Sequence, residues 1–463
     1  MKINSLTIRN FRKFEQQSFV FHSQFNALIG ENATGKTQIL DALSIILGIY
    51  QTKMFNREKV LRGIQTEEVR VCDHPFSDDA GQTQIRREPQ YPVSLDAEIA
   101  YRGKRFDQNC AKISESGRTT FGRTSQFSKL AQTEYNQVQD GKEITLPLLV
   151  YYGSGRLWPL KRHFENEDSI PSRTDGYLKS LDPNTDIKEI QGWIKQQELV
   201  YLQKKKTVTT LELFRQAMSA MIPDCKTVYY DTEFSSIYLE FRDGTSCPFY
   251  SISDGFRCMV GMVADMVRRI GLLNPHLGMN ALKETEGVVL VDELDLYLHP
   301  RWQRRVVGDL KTLFPKLQFI VTTHSPFIIQ SLSPGEVIDL AECRGDVIDQ
   351  PLFPNSPEVQ ENSAWPGPGQ PYANRSLEDI VEDVMDIPIP QRSRRYQEMF
   401  DAAQEYYRIL KGEIAVTPEE KERKKRRLDE CSAPFSDNVA YHAFLEMERE
   451  AEMPAKGVAN EAD

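Results

Sequence analysis

An α/β fold with a parallel or mixed sheet is the class this sequence predicts, and three observations carry it. Apolar runs of strand length, in "FVFHSQFNALIG", "GVVLVDE" and "LQFIVTTH", alternate with helical segments such as "KTQILDALSIILGIY". Alternation of that kind describes a sheet covered by helices. "GENATGKT", Gly30 to Thr37, fits the pattern G-x-x-x-x-G-K-[ST] between one such strand and one such helix. A further strand, Val288 to Val291, ends in the acidic pair Asp292 and Glu293. Together these predict a P-loop NTPase.

The 463 residues suffice for two to four domains' worth of chain, and 40% hydrophobic with 27% charged residues describes an ordinary globular composition. The longest apolar runs, such as "LPLLVYY", fall far short of the roughly 20 residues of a membrane span, so no membrane association is expected. The start "MKINSLTIRNF" lacks an apolar signal region, and the seven cysteines are scattered singly. Both features suit a reduced, cytoplasmic protein. None of the seven histidines has metal-ligand spacing, and the net charge of −10 excludes a generally basic coat without excluding a local basic groove.

In chain order, "MKINSLTI" alternates as a strand, and residues 1–156 are expected to form a first ATPase lobe around the phosphate loop. Residues 157–250 change character. "DIKEIQGWIKQQELVYLQKKK" places Ile187, Ile190, Trp193, Ile194 and Leu202 near helical spacing, as does "TLELFRQAMSAMI", so an inserted helical lobe followed by returning strands is expected. Residues 251–353 hold the next helix, the Asp292 strand and the strand ending in His324. Residues 354–375 contain five prolines and two glycines within "PNSPEVQENSAWPGPGQPY" and read as a linker. Residues 376–463 read as a helical tail, with Ser376 as an N-cap and a capping box of Thr417 with Glu420 behind Pro418.

The phosphate loop carries the clearest chemistry. Gly30 and Gly35 permit backbone angles that turn successive N–H groups toward a polyphosphate, and the helix start beyond them adds roughly half a positive charge. Glu31, Asn32, Ala33 and Thr34 line the loop, and Gln38 lies just inside the helix. Lys36 is expected to reach the β- and γ-phosphates of ATP, and the Thr37 hydroxyl to ligate Mg²⁺. Such a site needs a second Mg²⁺ anchor and a group that orients water. Asp292 is the candidate anchor and Glu293 the candidate base. His324, at the tip of "FIVTTH", could contact the γ-phosphate. In "YSISDGFRCMVGMVADMVRR", Ser253 and Asp254 begin a helix with Met259, Val260, Val263 and Met266 on one face, and Gly255 keeps the backbone bare near its start. By itself that is a cap and a turn.

As an ordered set, these motifs resemble the ABC-type ATPase head shared by the RecF, SMC and OLD families. The resemblance covers residues 1 to about 340 and implies a head with an inserted helical lobe and, here, a C-terminal helical tail. "LTIRNFRKF" is similar to the family opening, which would put Arg12 and Lys13 near the nucleotide. "SISDGFR" takes the signature position, giving Ser253, Asp254 and Gly255 the task of meeting ATP held by a second subunit. "LYLH", ending at His299, occupies the D-loop position, with Asp295 to His299 facing that subunit. The family's Q-loop glutamine is missing from "LLVYYGSGR". Tyr152 to Arg156 or Gln65 could serve instead.

The short lobe differs from the long coiled coils of SMC proteins, and the charged helical tail differs from the Toprim nuclease of OLD enzymes. "DELDLYLHPRWQ", "THSP" and "RSLEDIVEDVMDIP" look most like the PtuA family, the ATPase subunits of Septu antiphage systems. That resemblance implies a homo-oligomer built on ATP-sandwich dimers and a separate PtuB-like HNH nuclease partner. No nuclease site is expected in this chain. The tail, with Tyr396, Met399, Phe400, Ala403 and Leu410 on one stripe, would recruit the partner. The run "KERKKRR", residues 421–427, is balanced by Glu419, Glu420, Asp429 and Glu430 and reads as a solvated face; contact between the complex and DNA is the alternative. A RecF-like DNA-repair ATPase and, less well matched, a transporter ATPase subunit are the competing readings.

Overall fold

Every residue of the strands Phe25–Ile29, Leu148–Tyr152, Gly287–Val291 and Leu317–Thr322 is buried. Apolar runs buried along their whole length need cover on both faces, which is the environment of a central parallel sheet. The computed structural model describes residues 1–54, 62–77, 83–155, 172–183, 189–204, 208–340, 376–377, 380–381, 394–410 and 417–432. The strands are β1 Lys2–Phe11, β2 Phe14–Val20, β3 Phe25–Ile29, β4 Val71–Ser77, β5 Thr83–Pro89, β6 Val93–Tyr101, β7 Lys104–Lys112 and β8 Thr120–Gly122. They continue as β9 Leu148–Tyr152, β10 Cys225–Asp231, β11 Ser236–Phe241, β12 Ser246–Pro248, β13 Gly287–Val291, β14 Leu317–Thr322 and β15 Val337–Asp339. The helices used below are α1 Lys36–Met54, α2 Ser125–Gln139, α3 Glu189–Lys204, α4 Thr209–Met221, α5 Asp254–Leu273, α6 Ala281–Glu284 and α7 Pro300–Leu313.

The central sheet runs β15-β3-β14-β13-β9, and every pairing in it is parallel. Its register sets Val291 beside Val321 on one side and Tyr152 on the other. The carboxyl ends of β9, β13 and β14 therefore lie together, with the loop after β3 two strands from β13. In open α/β sheets ligands bind at that edge.

A second sheet, β2-β1-β6-β7-β8, is antiparallel where its pairings are registered. Residues of β6 alternate buried and half-buried, as expected of a sheet with one face on the core. Gln318 ties it to the central sheet: its carbonyl oxygen accepts from the Ile3 amide at 2.7 Å, and its amide donates to the Ile3 carbonyl at 2.8 Å. The turn between β1 and β2 has positive φ at Asn10 and Arg12 and delivers Lys13 to the phosphate loop.

Between β9 and β13 lie α3, α4, the small antiparallel sheet β10-β11-β12 and α5. Leu211, Phe214, Ala217, Met218 and Met221 form the buried face of α4. On α5, Met259, Val260, Val263 and Met266 are all buried, which is the face that the sequence spacing picked out.

The chain divides into compact units Met1–Ile380 and Val381–Asp463. In the second, helices Arg394–Leu410 and Pro418–Ser432 pack through Ala402, Ala403, Tyr406 and Leu428, with Lys424 Nζ 2.5 Å from Glu405 Oε1. The Thr417–Glu420 capping box forms, each backbone amide donating to the other's side chain at 3.3 Å. Met399 and Ala403 of the apolar stripe are buried, whereas the side chains of Tyr396, Phe400 and Leu410 lie outside the described residues, as do Arg156 and the 354–375 segment. Lys421, Arg423, Lys425, Arg426 and Arg427 are exposed. Among the described residues, no helix is long and apolar enough to cross a membrane.

Candidate nucleotide site

The loop from Gly30 to Gly35 turns on three residues of positive φ: Gly30 at 136°, Ala33 at 62° and Gly35 at 101°. Gly35 is required twice over. Its φ disfavours any L side chain, and a Cβ there would lie 2.7 Å from the Phe14 ring and 2.8 Å from Lys13 Cε. The Thr34 hydroxyl donates to the Glu31 carbonyl at 2.8 Å and closes the turn, leaving Glu31 and Asn32 exposed at its crest.

Lys36 opens α1, and its ammonium donates to the carbonyls of Gly30 at 2.7 Å and Glu31 at 2.8 Å. Burial, chiefly, lowers its pKa, while Asp292 and then Glu293 and Asp295 oppose the shift. Lys13 Nζ donates to the Ala33 carbonyl at 2.9 Å, and its backbone amide to Gln38 Oε1 at 3.3 Å. Two cations thus face one loop, the arrangement a polyphosphate would occupy.

Arg12 lies elsewhere. Its guanidinium is 2.7 Å from Asp41 Oδ2 on α1 and 3.0 Å from Glu68 Oε1, and Arg62 pairs with the same two acids. These four side chains form a half-buried ion-pair cluster on the first turns of α1, and the backbone at Arg12 has a positive φ of 50°.

Thr37 and Asp292 meet across the sheet: the Thr37 hydroxyl donates to Asp292 Oδ1 at 3.0 Å and Oδ2 at 3.1 Å. A hydroxyl and a carboxylate converging from two elements are hard oxygen donors suited to Mg²⁺. The Thr322 hydroxyl donates to Asp292 Oδ1 at 2.7 Å and accepts from the Glu293 amide at 2.7 Å. Nothing in the sequence pointed to Thr322. The available signal was its place as the last β14 residue, in register one step beyond Val291. Glu293 itself is half-buried with a φ of 50°.

His324 follows two residues later and is exposed. Desolvation and then the Lys36 ammonium lower its pKa, against the pull of Asp295, Glu293 and Asp292. Asp295 turns inward: its Oδ1 accepts from the Thr323 hydroxyl at 2.6 Å and the His324 amide at 3.2 Å. Asp295 is half-buried, and these two bonds tie the start of the D-loop to the residues that follow β14. Tyr297 is 59% exposed, and the exposed His299 caps α7 by accepting from the Arg301 amide.

Ser253 is an exposed N-cap residue of α5 with no side-chain cap bond, and Asp254 begins the helix. Gly255 is buried against the D-loop of its own chain, where a Cβ would stand 1.8 Å from the Tyr297 carbonyl oxygen. Phe256 and Trp302 add an edge-to-face ring pair at 4.8 Å between α5 and α7.

The two Q-loop alternatives separate by position. Gln65 caps a short turn, with its amides bonded to Glu68 and the Gly63 carbonyl. Tyr152 ends β9, where its carbonyl accepts the Asp292 amide at 2.8 Å and its hydroxyl donates to Asp265 Oδ2 on α5 at 2.9 Å. Tyr152 therefore connects the Asp292 strand to the helix that begins at Ser253.

Comparison with known proteins identifies the family and relatives of the chain. The family described as "AAA domain, putative AbiEii toxin, Type IV TA system" matches residues 25–330, well over half of the chain. The "Retron Vc95 probable ATPase" of Vibrio cholerae serotype O1 biovar El Tor is 23% identical over 390 residues, covering 73% of each chain. The Septu protein PtuA of Bacillus mycoides (strain KBAB4) is 25% identical over 73% of this chain, a match that spans only 40% of that protein. The SMC head domain from Thermotoga maritima covers 73% of this chain and 94% of its own, at 14% identity and a TM-score of 0.39; the fold argument rests on the strand order instead. With a family match that spans the phosphate loop and the central sheet strands β3, β9, β13 and β14, the chain belongs to this AAA domain family and is a PtuA-like ATPase.

Proposed function

We propose that this chain binds and hydrolyses ATP as a subunit of an antiphage defence complex, dimerising around the nucleotide and regulating a separate HNH nuclease. The observation that carries the hydrolytic part is the meeting of Thr37, Asp292 and Thr322, which joins the phosphate loop to the strand ends of β13 and β14. Mg²⁺ bound there would neutralise charge on the β- and γ-phosphate oxygens. Lys36 and Lys13 compensate the rest of the polyphosphate charge, and loop amides orient it. Glu293 accepts the proton of the attacking water, and the His324 ring donates a hydrogen bond to the γ-phosphate. The exposed Ser253 and, next to it, Asp254 meet the nucleotide of a second copy, and the helical tail recruits the nuclease. The defence role is supported by the likeness to a Septu protein and a retron ATPase.

Glu293→Gln tests the chemistry. ATP binding should stay within about threefold while turnover falls by orders of magnitude, the usual scale for losing a base. Near-normal turnover would refute the role of Glu293. Affinity capture of the native protein with the product of its neighbouring gene should recover an HNH protein. Recovery of a membrane permease would refute the defence reading, and DNA-stimulated turnover with no protein partner would favour a DNA-repair ATPase.

A further inference from the structure

We infer that Thr322 is a positioning residue for this site: one buried hydroxyl sets both the Asp292 carboxylate and the Glu293 backbone. The inference rests on the ATPase reading above. Thr322 is 1% exposed, so water does not compete for its hydroxyl. A threonine hydroxyl has one proton to give and lone pairs to receive. Here the proton goes to Asp292 Oδ1 and a lone pair receives the Glu293 N–H, both at 2.7 Å, which fixes the direction of each bond.

The consequences follow from that polarity. With its Oδ1 held from behind by Thr322, the carboxylate presents both oxygens to Thr37 at 3.0 and 3.1 Å. Rotation away would break a charge-assisted bond inside a water-poor site. Glu293 meanwhile sits at a φ of 50°, a left-handed conformation that a non-glycine residue keeps only when its surroundings hold it there. The Glu293 amide bond to the hydroxyl and the Leu294 amide bond to the Thr322 carbonyl, at 2.9 Å, grip that turn on both sides. The next residue repeats the device, since the Thr323 hydroxyl donates to Asp295 at 2.6 Å. Thr322, the last residue of β14, and Thr323 just beyond it thus hold Asp292 and Asp295, one on each side of Glu293 in sequence.

Thr322→Val keeps the shape and removes both hydroxyl bonds; Thr322→Ser keeps the hydroxyl and removes a methyl. Full-length variants are compared by ATP turnover, by the Mg²⁺ concentration that half-saturates binding of ATP, and by thermal unfolding without nucleotide. The expected result for Val is a kcat about ten- to a hundredfold lower, the scale of a lost hydrogen bond to a charged group. Its half-saturating Mg²⁺ should rise several-fold, and Ser should restore both to within about threefold. Wild-type kcat and Mg²⁺ dependence in Val would overturn the inference. Equal losses in Val and Ser, tracking lower unfolding temperatures, would overturn it too, because packing would then be the cause. A wild-type protein without ATP turnover would refute the ATPase reading, and the Mg²⁺ dependence of ATP binding in Val against Ser would still decide the role of Thr322.

Discussion

Replacing Gly255 by alanine perturbs the contact between the start of α5 and the D-loop, and its magnitude can be worked out from the structure. The added Cβ would lie 1.8 Å from the Tyr297 carbonyl oxygen, 2.3 Å from its carbon and 3.0 Å from the Leu298 nitrogen. All three are backbone atoms, so no side-chain rotation relieves the clash. Reaching ordinary contact, about 3.5 Å, requires the two segments to part by about 1.5 Å. Overpacking of this kind costs about 1–3 kcal/mol. For a unit ending at Ile380, an unfolding entropy of about 2 cal/mol/K per residue converts 2 kcal/mol into a fall of about 3 °C in Tm. The displacement also reaches Asp295, whose carbonyl accepts the Leu298 amide at 2.9 Å and whose carboxylate holds the His324 amide. Turnover should therefore fall by about tenfold or more, beyond what the lost stability explains. Differential scanning fluorimetry and an ATPase assay measure the two effects. Gly308→Ala is the control, because a Cβ on that α7 residue meets nothing within 4 Å, and a helical glycine replaced by alanine should gain roughly 0.5–1 kcal/mol. A Gly255→Ala protein with wild-type Tm and turnover would refute the reasoning.

Two other predictions follow from the electrostatics. Arg12→Ala should lower stability by about 2–4 kcal/mol, since it leaves the buried Asp41 and Glu68 to share Arg62 as their ion-pair partner, yet leave ATP affinity within about twofold; Lys13→Ala should do the reverse. Urea unfolding and nucleotide titration of the two variants distinguish these outcomes, and a large loss of ATP affinity in Arg12→Ala would contradict the placement of its side chain. Asp265, against Arg268, Arg269 and Tyr152, has its pKa held down to about 2 despite the opposing effect of burial. The unfolded chain binds that proton more readily, so the stabilisation is complete above an ordinary pKa near 3.8 and is lost as pH falls from there toward 2. The loss approaches about 2 kcal/mol, and the wild-type slope of stability against pH should exceed that of Asp265→Asn in this window. Identical slopes would exclude it.

The phosphate loop, its flanking strand and helix, and the acids after β13 could be read directly because each depends on local rules. Glycines at fixed spacing meet backbone angles that other residues resist, and short apolar runs need burial on both faces. The apolar face of α5 was equally plain from its periodicity. The tertiary structure alone decided what depends on register between distant strands. Thr322 reaches Asp292 because β13 and β14 are parallel and in step, although 30 positions separate the two residues. Arg12 and Lys13 are neighbours in sequence, but one pairs with Asp41 on α1 and the other reaches the Ala33 carbonyl of the loop. The bonds that Asp295 accepts from the Thr323 hydroxyl and the His324 amide join residues 28 and 29 positions apart, a pairing that no local rule predicts. The separate antiparallel sheet around β1 and β6 was also hidden, because alternation marks a strand without naming its partner. Sequence specified which groups are suited to the chemistry; the packing of strands from distant parts of the chain specified which of them could meet.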